Sequence, residues 1–533
     1  MLPADDGDGV VRTWESWTRD RVDSLTQRRV LRSLRPVDAG VPGGSPSGIP
    51  HGASSAEVWV SEPTMRAWET GAHDLGGSAD GYPTNGARDA ARASSSSREK
   101  GAHGENADAP ASARLRLFSS NDYLGLGAHP RVRAAAARAA AAHGSGPRSS
   151  PLVCGYTSSH RELELGLAAL KNTEECLLFP TGFAANAGVI PALADGGDCE
   201  IFSDRLNHAS IVDGCRLARL NGAKVTVYEH ADARHLERLM AASRAARKLI
   251  VTDALFSVDG DWAPLRAIAS LKRKLGGEAM LLVDEAHATL VCGATGGGAV
   301  EMLLKDARGA NEEDLSSAVD VHVGTLSKAF GSHGGFVCCS RALKSLLVST
   351  SRTSVFSTAL PAPCVAAASA ALRVAGMPGA VDPETGADEG KALRARLWRH
   401  VRRVDAAFRG ERRPPHATAK DELTYDDDWR EDATATAHAL DGDPEKRGAA
   451  LLGGGRPLRP RVDSPIACVA YGSESSALRA SAILLKRGLH APAIRPPTVP
   501  RGTSRVRLAL SAAHRDSDIE ALVDALATTE AKL

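Results

Sequence analysis

The middle of the chain alternates short apolar runs with longer stretches of helical period, and that alternation carries most of the fold information. Four nearly continuous apolar runs stand out: Cys176–Phe179, Leu249–Thr252, Met280–Val283 and Val321–Val323. Each is bounded by turn residues, which predicts strands buried on both faces of a parallel sheet. Between them, Pro264–Leu275 places Leu265, Ile268, Leu271 and Leu275 on one face, and Gly276-Gly277 predicts its end. This βαβ rhythm predicts an α/β fold: an open, mostly parallel sheet with helices on both sides and ligands beyond the carboxyl ends of its strands. The C-terminal part repeats the rhythm on a smaller scale, with strands at Pro465–Ala470 and Arg505–Leu510 and helices at Ser473–Arg487 and Ile519–Ala527.

Two stretches break the pattern. Residues 37–113 are rich in Gly, Ser, Ala, Pro and Asp, and the same bias returns at about 410–461, with Asp426-Asp427-Asp428 and Gly453-Gly454-Gly455. Such compositions bury too little apolar area to offset the entropy of ordering, so both are predicted to be disordered insertions or long surface loops. The expected organisation is a helical segment over 1–36, the insertion at 37–113, a large domain over 114–375, and a smaller C-terminal domain over 376–533 that contains the second insertion.

Charge narrows the partners. The 65 basic and 64 acidic residues leave a formal +1, which gives no electrostatic case for nucleic acid or an anionic membrane. The nine cysteines are scattered and form no C-x-x-C pair, so buried free thiols are expected rather than disulfides or a metal site. No apolar stretch has the length of a membrane span. The acidic start, Met1 to Asp8, argues against a secretory or transit signal. The last three residues, Ala531-Lys532-Leu533, have the small–basic–leucine form of a peroxisomal address, so the peroxisome is expected, with the cytoplasm as alternative.

Candidate chemistry lies just after the strand ends. Thr181-Gly182-Phe183 opens a helix after the first run, and a glycine at a helix start is a natural anion cradle. The second run leads to the polar loop Phe256–Asp261, which holds Ser257. Met280–Val283 ends in Asp284-Glu285-Ala286-His287; an acid directly after four apolar residues should be buried, and it then needs a cation or strong donors. The fourth run leads into Gly324-Thr325-Leu326-Ser327-Lys328. A lysine among small residues at a buried strand end has a destabilised ammonium, and so can act as an amine nucleophile.

The order of these pieces resembles the α-oxoamine synthases, a family of fold-type-I pyridoxal-phosphate (PLP) enzymes. The matching strings are Phe118–Gly125, Asp204–Ser210, Val283–His287 and Thr325–Lys328, and the resemblance covers Arg114–Gly376 and Val462–Leu533, with a short piece at Leu25–Pro36. It implies a fold-type-I transferase with PLP held as a Schiff base on Lys328, whose released amine then takes the Cα proton. It further implies Asp284 paired with the pyridinium nitrogen and His208 stacked on the ring. Ser257 and His287 would face the ring's phenolic oxygen, with Gly182, Phe183 and Thr325 on the phosphate. The resemblance also implies a homodimer with a shared active site, to which Ser357-Thr358 would contribute.

Within the family, the string Ala493–Leu508 is most similar to members that join L-alanine to a pimeloyl thioester in biotin synthesis. Arg507 and Asn121 are then expected at the amino acid's carboxylate, where a guanidinium can bind in bidentate fashion. Thr498 is a further expected substrate contact, and Arg495 and Arg35 are the candidates for the acyl chain or its distal carboxylate. Gly146-Pro147-Arg148 is more like the plant members. The competing readings are a different α-oxoamine synthase, a fold-type-I aminotransferase needing no thioester, and a silent regulatory subunit, which would have no use for Lys328.

Overall fold

A computed structural model of the protein describes residues 56–61, 112–305, 316–376, 388–410 and 462–530, with isolated residues between 18 and 65. In chain order its strands are β1 (Glu57–Ser61), β2 (Ser112–Leu117), β3 (Glu175–Phe179), β4 (Cys199–Asp204), β5 (Lys224–Tyr228), β6 (Arg247–Asp253), β7 (Ala279–Asp284), β8 (Val321–Thr325), β9 (Gly335–Cys339), β10 (Ile466–Gly472), β11 (Leu489–His490), β12 (Ala493–Ile494) and β13 (Ser504–Ala509). Seven of them form the central sheet, in the order β3-β9-β8-β7-β6-β4-β5. Strands β8, β7, β6, β4 and β5 pair in parallel, whereas β9 runs against both β8 and β3. All four apolar runs are therefore strands. Cys176–Phe179 departs from the expectation in its pairing, since its neighbour β9 is antiparallel.

Both faces of this sheet are covered, which is why its strands read as unbroken apolar runs. Along β7, Leu281 and Val283 enter one core while Leu282 enters the other; along β6, Ile250 enters the first and Leu249 and Val251 the second. The second core is closed by the helices Gly182–Leu193, Ala209–Leu220 and Arg341–Thr350, which supply Val189, Ile211 and Leu347. Helices Ser158–Lys171, Leu265–Leu275 and Ala362–Ala375 cover the first. Each fully buried leucine in these layers contributes roughly 2 kcal/mol relative to exposure.

The C-terminal part forms a three-stranded antiparallel sheet, β10-β13-β12, backed by the helices Glu474–Lys486 and Asp516–Glu530. The four C-terminal elements thus lie where the pattern put them. A third sheet, β1-β2-β11, corrects two expectations about the N-terminal region. Glu57–Ser61 lies inside the segment expected to be disordered, yet Val58 and Val60 are buried against Leu115 and Leu485. And β2, at the expected start of the large domain, pairs in parallel with β11 of the C-terminal part. The reason is a strict two-residue alternation: Leu115 is buried while Arg114 points outward, and one apolar face suffices for an antiparallel partner. The remainder of the two insertions, most of the segment 1–36, and Ala531-Lys532-Leu533 lie outside the described residues.

Candidate active site

Because β9 alone runs in reverse, the carboxyl ends of β3, β4, β6, β7 and β8 meet the start of β9 at one edge of the sheet, and the candidate residues gather there. Three groups of side chains build the site.

The first is the helix start after β3. Thr181 caps the helix Gly182–Leu193, its hydroxyl accepting the Ala184 N–H at 2.9 Å. The N–H groups of Gly182 and Phe183 lie in the first turn, where a helix supplies no acceptor of its own. Strand β9 approaches this turn so closely that a methyl group on Gly335 would sit 2.3 Å from the Thr181 carbonyl carbon and 2.5 Å from the Gly182 nitrogen. A Cβ on Gly182 would meet Cβ of Thr325 at 3.1 Å. Thr325 is itself fixed: its Oγ1 donates to the Gly334 carbonyl at 3.0 Å and shares a 2.8 Å hydrogen bond with Ser327.

The second group is acidic. Asp253 and Asp284 end β6 and β7 and face each other in register. The buried Asp284 is held by donors, not by a cation: Asn186 Nδ2 reaches Oδ2 at 2.6 Å and the Ala286 N–H reaches Oδ1 at 2.8 Å. Asp253 accepts the His208 N–H at 2.7 Å, and burial together with the neighbouring Asp284 charge raises its carboxyl well above the ordinary range. His208 caps the helix Ala209–Leu220, with Nδ1 bonded to Ser210 Oγ at 2.7 Å and its ring edge-on to the exposed Phe183, centroids 6.3 Å apart. Burial lowers the His208 pKa; Asp284 pulls it up and Lys328 pushes it down.

The third group surrounds Arg507 on β13. Its Nε donates to the Ser257 carbonyl at 2.6 Å and its Nη2 to Asn121 Oδ1 at 3.2 Å. Asn121 Oδ1 also accepts the Tyr123 hydroxyl at 3.3 Å, and that hydroxyl lies 2.6 Å from His287 Nδ1. Burial pushes Tyr123 up to about 12 and drives His287 well below its usual pKa, with the Lys328 and Arg507 charges adding to the effect on the histidine.

Lys328 follows the end of β8 by three residues, within the electrostatic reach of Asp284, Asp253 and Arg507. Burial draws its ammonium below the ordinary lysine range, against the pull of Asp284 and Asp253 and with the push of Arg507. The arrangement offers an amine able to lose its proton, an anchored buried carboxylate, an imidazole beside it, and an anion cradle formed by a helix start that tolerates no added Cβ at Gly335. Those are the groups PLP requires at its aldehyde, ring nitrogen, ring face and phosphate, so the residues present suit that cofactor.

Of the sites expected from sequence, Lys328, Asp284, His208, Gly182, Phe183, Thr325, His287, Ser257, Asn121 and Arg507 come together at this edge. Arg495 follows β12, half-buried and 3.9 Å from Glu474, and Thr498 is exposed in the next turn, its N–H on the Arg495 carbonyl. Arg35 lies outside the described residues. Four residues of the site were not singled out from sequence: Tyr123, Asn186, Ser210 and Asp253. Asp253 carried a readable signal, since it follows the apolar run Leu249–Thr252 as Asp284 follows Met280–Val283.

Comparison with known proteins agrees with this geometry. The family profile described as aminotransferase class I and II matches residues 115–526. The 8-amino-7-oxononanoate synthase of Arabidopsis thaliana is 37% identical over 548 residues, covering 97% of this chain and 95% of the relative. The 8-amino-7-oxononanoate synthase of Anaeromyxobacter dehalogenans is 45% identical over 408 residues, covering 76% and 84%. Among solved structures, the serine palmitoyltransferase of S. paucimobilis with a bound PLP–myriocin aldimine superposes with a TM-score of 0.62 at 26% identity, covering 79% of this chain and 88% of that one.

Proposed function

The chain belongs to the class I and II aminotransferase family and, within it, to the 8-amino-7-oxononanoate synthases, and on that footing we propose that it joins L-alanine to a pimeloyl thioester. The products are 8-amino-7-oxononanoate, carbon dioxide and the free thiol, a step of biotin biosynthesis. The observation that carries the reading is that the sheet edge brings together Asp284 at the end of β7, Lys328 just past the end of β8, and the Arg507–Asn121 pair, with Asp284 and Arg507 near enough for their charges to act on the lysine.

PLP supplies the electron sink that stabilises a carbanion at Cα of the amino acid. The protein supplies the rest. Asp284, locked by Asn186 and the Ala286 N–H, would face the ring nitrogen. Gly182, Phe183 and Thr325 would hold the phosphate. Arg507 spends one N–H on Ser257 and one on Asn121 and also acts on the Tyr123 hydroxyl; an N–H beyond these would meet the substrate carboxylate. Lys328, a weakened ammonium, is suited to accept the Cα proton as a neutral amine and return it after carbon dioxide is lost. The carbon–carbon bond forms between Cα and the thioester carbonyl as the thiol leaves, so the site must exclude water that would quench the carbanion.

The purified, PLP-loaded protein should release carbon dioxide, CoA and the nine-carbon amino ketone from L-alanine and pimeloyl-CoA. Glycine or serine with succinyl-, acetyl- or palmitoyl-CoA should not turn over. Turnover of another pair would keep the PLP chemistry and discard the substrate assignment. Conversion of PLP to its amine form by an amino acid alone would favour an aminotransferase.

The working unit in this reading is a homodimer. Leu152, Val153, Phe183, Leu206 and Phe356 are exposed, and the segments bearing Val153 and Phe356 are tied together by the Ala359 N–H on the Ser149 carbonyl. A second copy covering these side chains would bring Ser357 and Thr358 toward its own site; sedimentation at micromolar concentration gives twice the chain mass if so. The tripeptide Ala531-Lys532-Leu533 is proposed as a peroxisomal address, with a cytoplasmic location as the alternative. A fluorescent fusion that remains in the organelle after deletion of Leu533 rules the tripeptide out.

A further inference from the structure

Asn186 lies on the helix Gly182–Leu193 and is fully buried. Both hydrogens of its amide are used, one on Asp284 Oδ2 at 2.6 Å and one on Ser210 Oγ at 3.0 Å. Ser210 passes the chain on. Its backbone N–H reaches His208 Nδ1 at 3.2 Å, which marks Nδ1 as the acceptor, so the Ser210 hydroxyl donates to the same nitrogen at 2.7 Å. A hydrogen-bonded path therefore links the Asp284 carboxylate to the His208 imidazole, with donation running outward from Asn186 both ways, to Asp284 directly and to His208 through Ser210.

Two further features single out this amide. Its Oδ1 is buried and accepts no hydrogen bond among the described residues. A buried acceptor without a donor is a cost, and the fold carries it in order to aim both N–H groups. The spacing of the two helices is also set at this point: a Cβ on Gly214 would lie 2.8 Å from the Asn186 carbonyl oxygen and 3.1 Å from Ile190 Cδ1. The close approach at Gly214 brings Asn186 within reach of Ser210.

We propose that Asn186 is a positioning residue that couples Asp284 and His208 into one unit, so that the partner of the ring nitrogen and the residue on the ring face are fixed by a single amide. The inference rests on the PLP reading above and deepens it. Neither Asn186 nor Ser210 need touch the reacting atoms. Their role is to fix the geometry and hydrogen-bonding state of the two residues that do.

The test is a double-mutant cycle on the full-length holoprotein, read by PLP affinity of the stripped protein and by the pH titration of the visible absorption band. Asn186→Ala should weaken PLP binding about tenfold and shift the midpoint of the band. It should also lower kcat for alanine more than it alters KM. Ser210→Ala, which spares Asp284, should weaken PLP about threefold. The double variant should be no weaker than Asn186→Ala, because one path is already cut. Independent effects, multiplying to about thirtyfold, overturn the coupling. If Asn186→Ala does not fold, Ser210→Ala alone decides: wild-type affinity and an unmoved band overturn the proposal. A wild-type protein with no PLP band at all defeats the cofactor reading instead.

Discussion

Asp284 and Glu285 are neighbours in the chain, yet they end in opposite kinds of charge cluster. Glu285 is fully buried and matched: Lys171 Nζ lies at 2.9 Å, His322 Nδ1 at 2.8 Å and the Val300 N–H at 3.0 Å. Burial alone would raise its carboxyl, but Lys171 and His322 overcome that and hold it at about 2. On the other side of the backbone no such balance exists. Burial draws down Lys328, His208 and His287 and pushes up Asp253, so it weighs against the charged form of each. A matched cluster serves the fold, because each charge has a fixed partner. The unmatched one is suited to receive an anionic cofactor and to move a proton, at some expense in stability. The alternation of a strand end places the two within one peptide unit.

The contrast breaks first at Lys328. Lys328→Ala should lower turnover by at least about 10³-fold and abolish the visible band, since both the attachment point and the base are lost. Its urea midpoint should move by less than about 1 kcal/mol equivalent, because the ammonium it removes is already disfavoured by burial. Lys171→Met should do the reverse. It leaves Glu285 in the core with only His322 and the Val300 N–H, which costs about 3–5 kcal/mol. Urea unfolding at pH 7.5 reads both, and a Lys171→Met protein as stable as wild type would remove the basis for calling that cluster structural.

How much of this was legible follows the range of the interactions. The runs around Leu249 and Met280 announced buried strands, and Asp284 and Lys328 became legible through their place in the ordered set of polar residues after those strand ends. Strand β4 was not among the predicted strands, since Glu200, Ser203 and Asp204 interrupt its apolar residues; Glu200 is tolerated because Thr226 at 2.5 Å, Ser243 at 2.6 Å and Lys224 at 2.8 Å satisfy it from other elements. The reversal of β9 had no local signature, since strand order is set by contacts distant in sequence. Asn186 had a faint one, a lone amide among alanines, but its meaning depends on Asp284, 98 residues away. The substrate arginine was legible only through resemblance. Arg507 and Asn121 meet across 386 residues.

Histidines sharpen the same comparison by pH. His230 is of the matched kind, held by Asp204 at 2.9 Å and Asp261 at 2.7 Å and packed edge-on to Phe256. Burial opposes its charge, but the two carboxylates raise it to about 10. A folded pKa above the unfolded value of 6.5 means that its contribution is complete below pH 6.5. It is lost as pH rises through about 10. The contribution is on the order of 2–4 kcal/mol. Urea midpoints measured from pH 6 to 10 should fall in the wild type and flatten in His230→Gln. Equal slopes in the two proteins would assign the titration to other groups.

The smallest effect tests whether the helix start belongs to the site or to the fold. A Cβ on Gly182 would lie 3.1 Å from Thr325 Cβ, so one of the two must yield by a few tenths of an ångström. Thr325 cannot yield freely while its hydroxyl is bonded to Gly334 and Ser327. The first turn must therefore shift, and with it the two N–H groups assigned to the phosphate. Alanine is also the better helix former by about 1 kcal/mol, which offsets the crowding in the stability of the protein. Gly182→Ala should thus leave the urea midpoint near wild type and weaken PLP about fivefold, well under 1.4 kcal/mol. Fluorescence titration of the stripped protein reads the affinity. A lower midpoint with unchanged PLP affinity would show that the close approach serves only packing, and the phosphate end of the site would then have to lie on other donors.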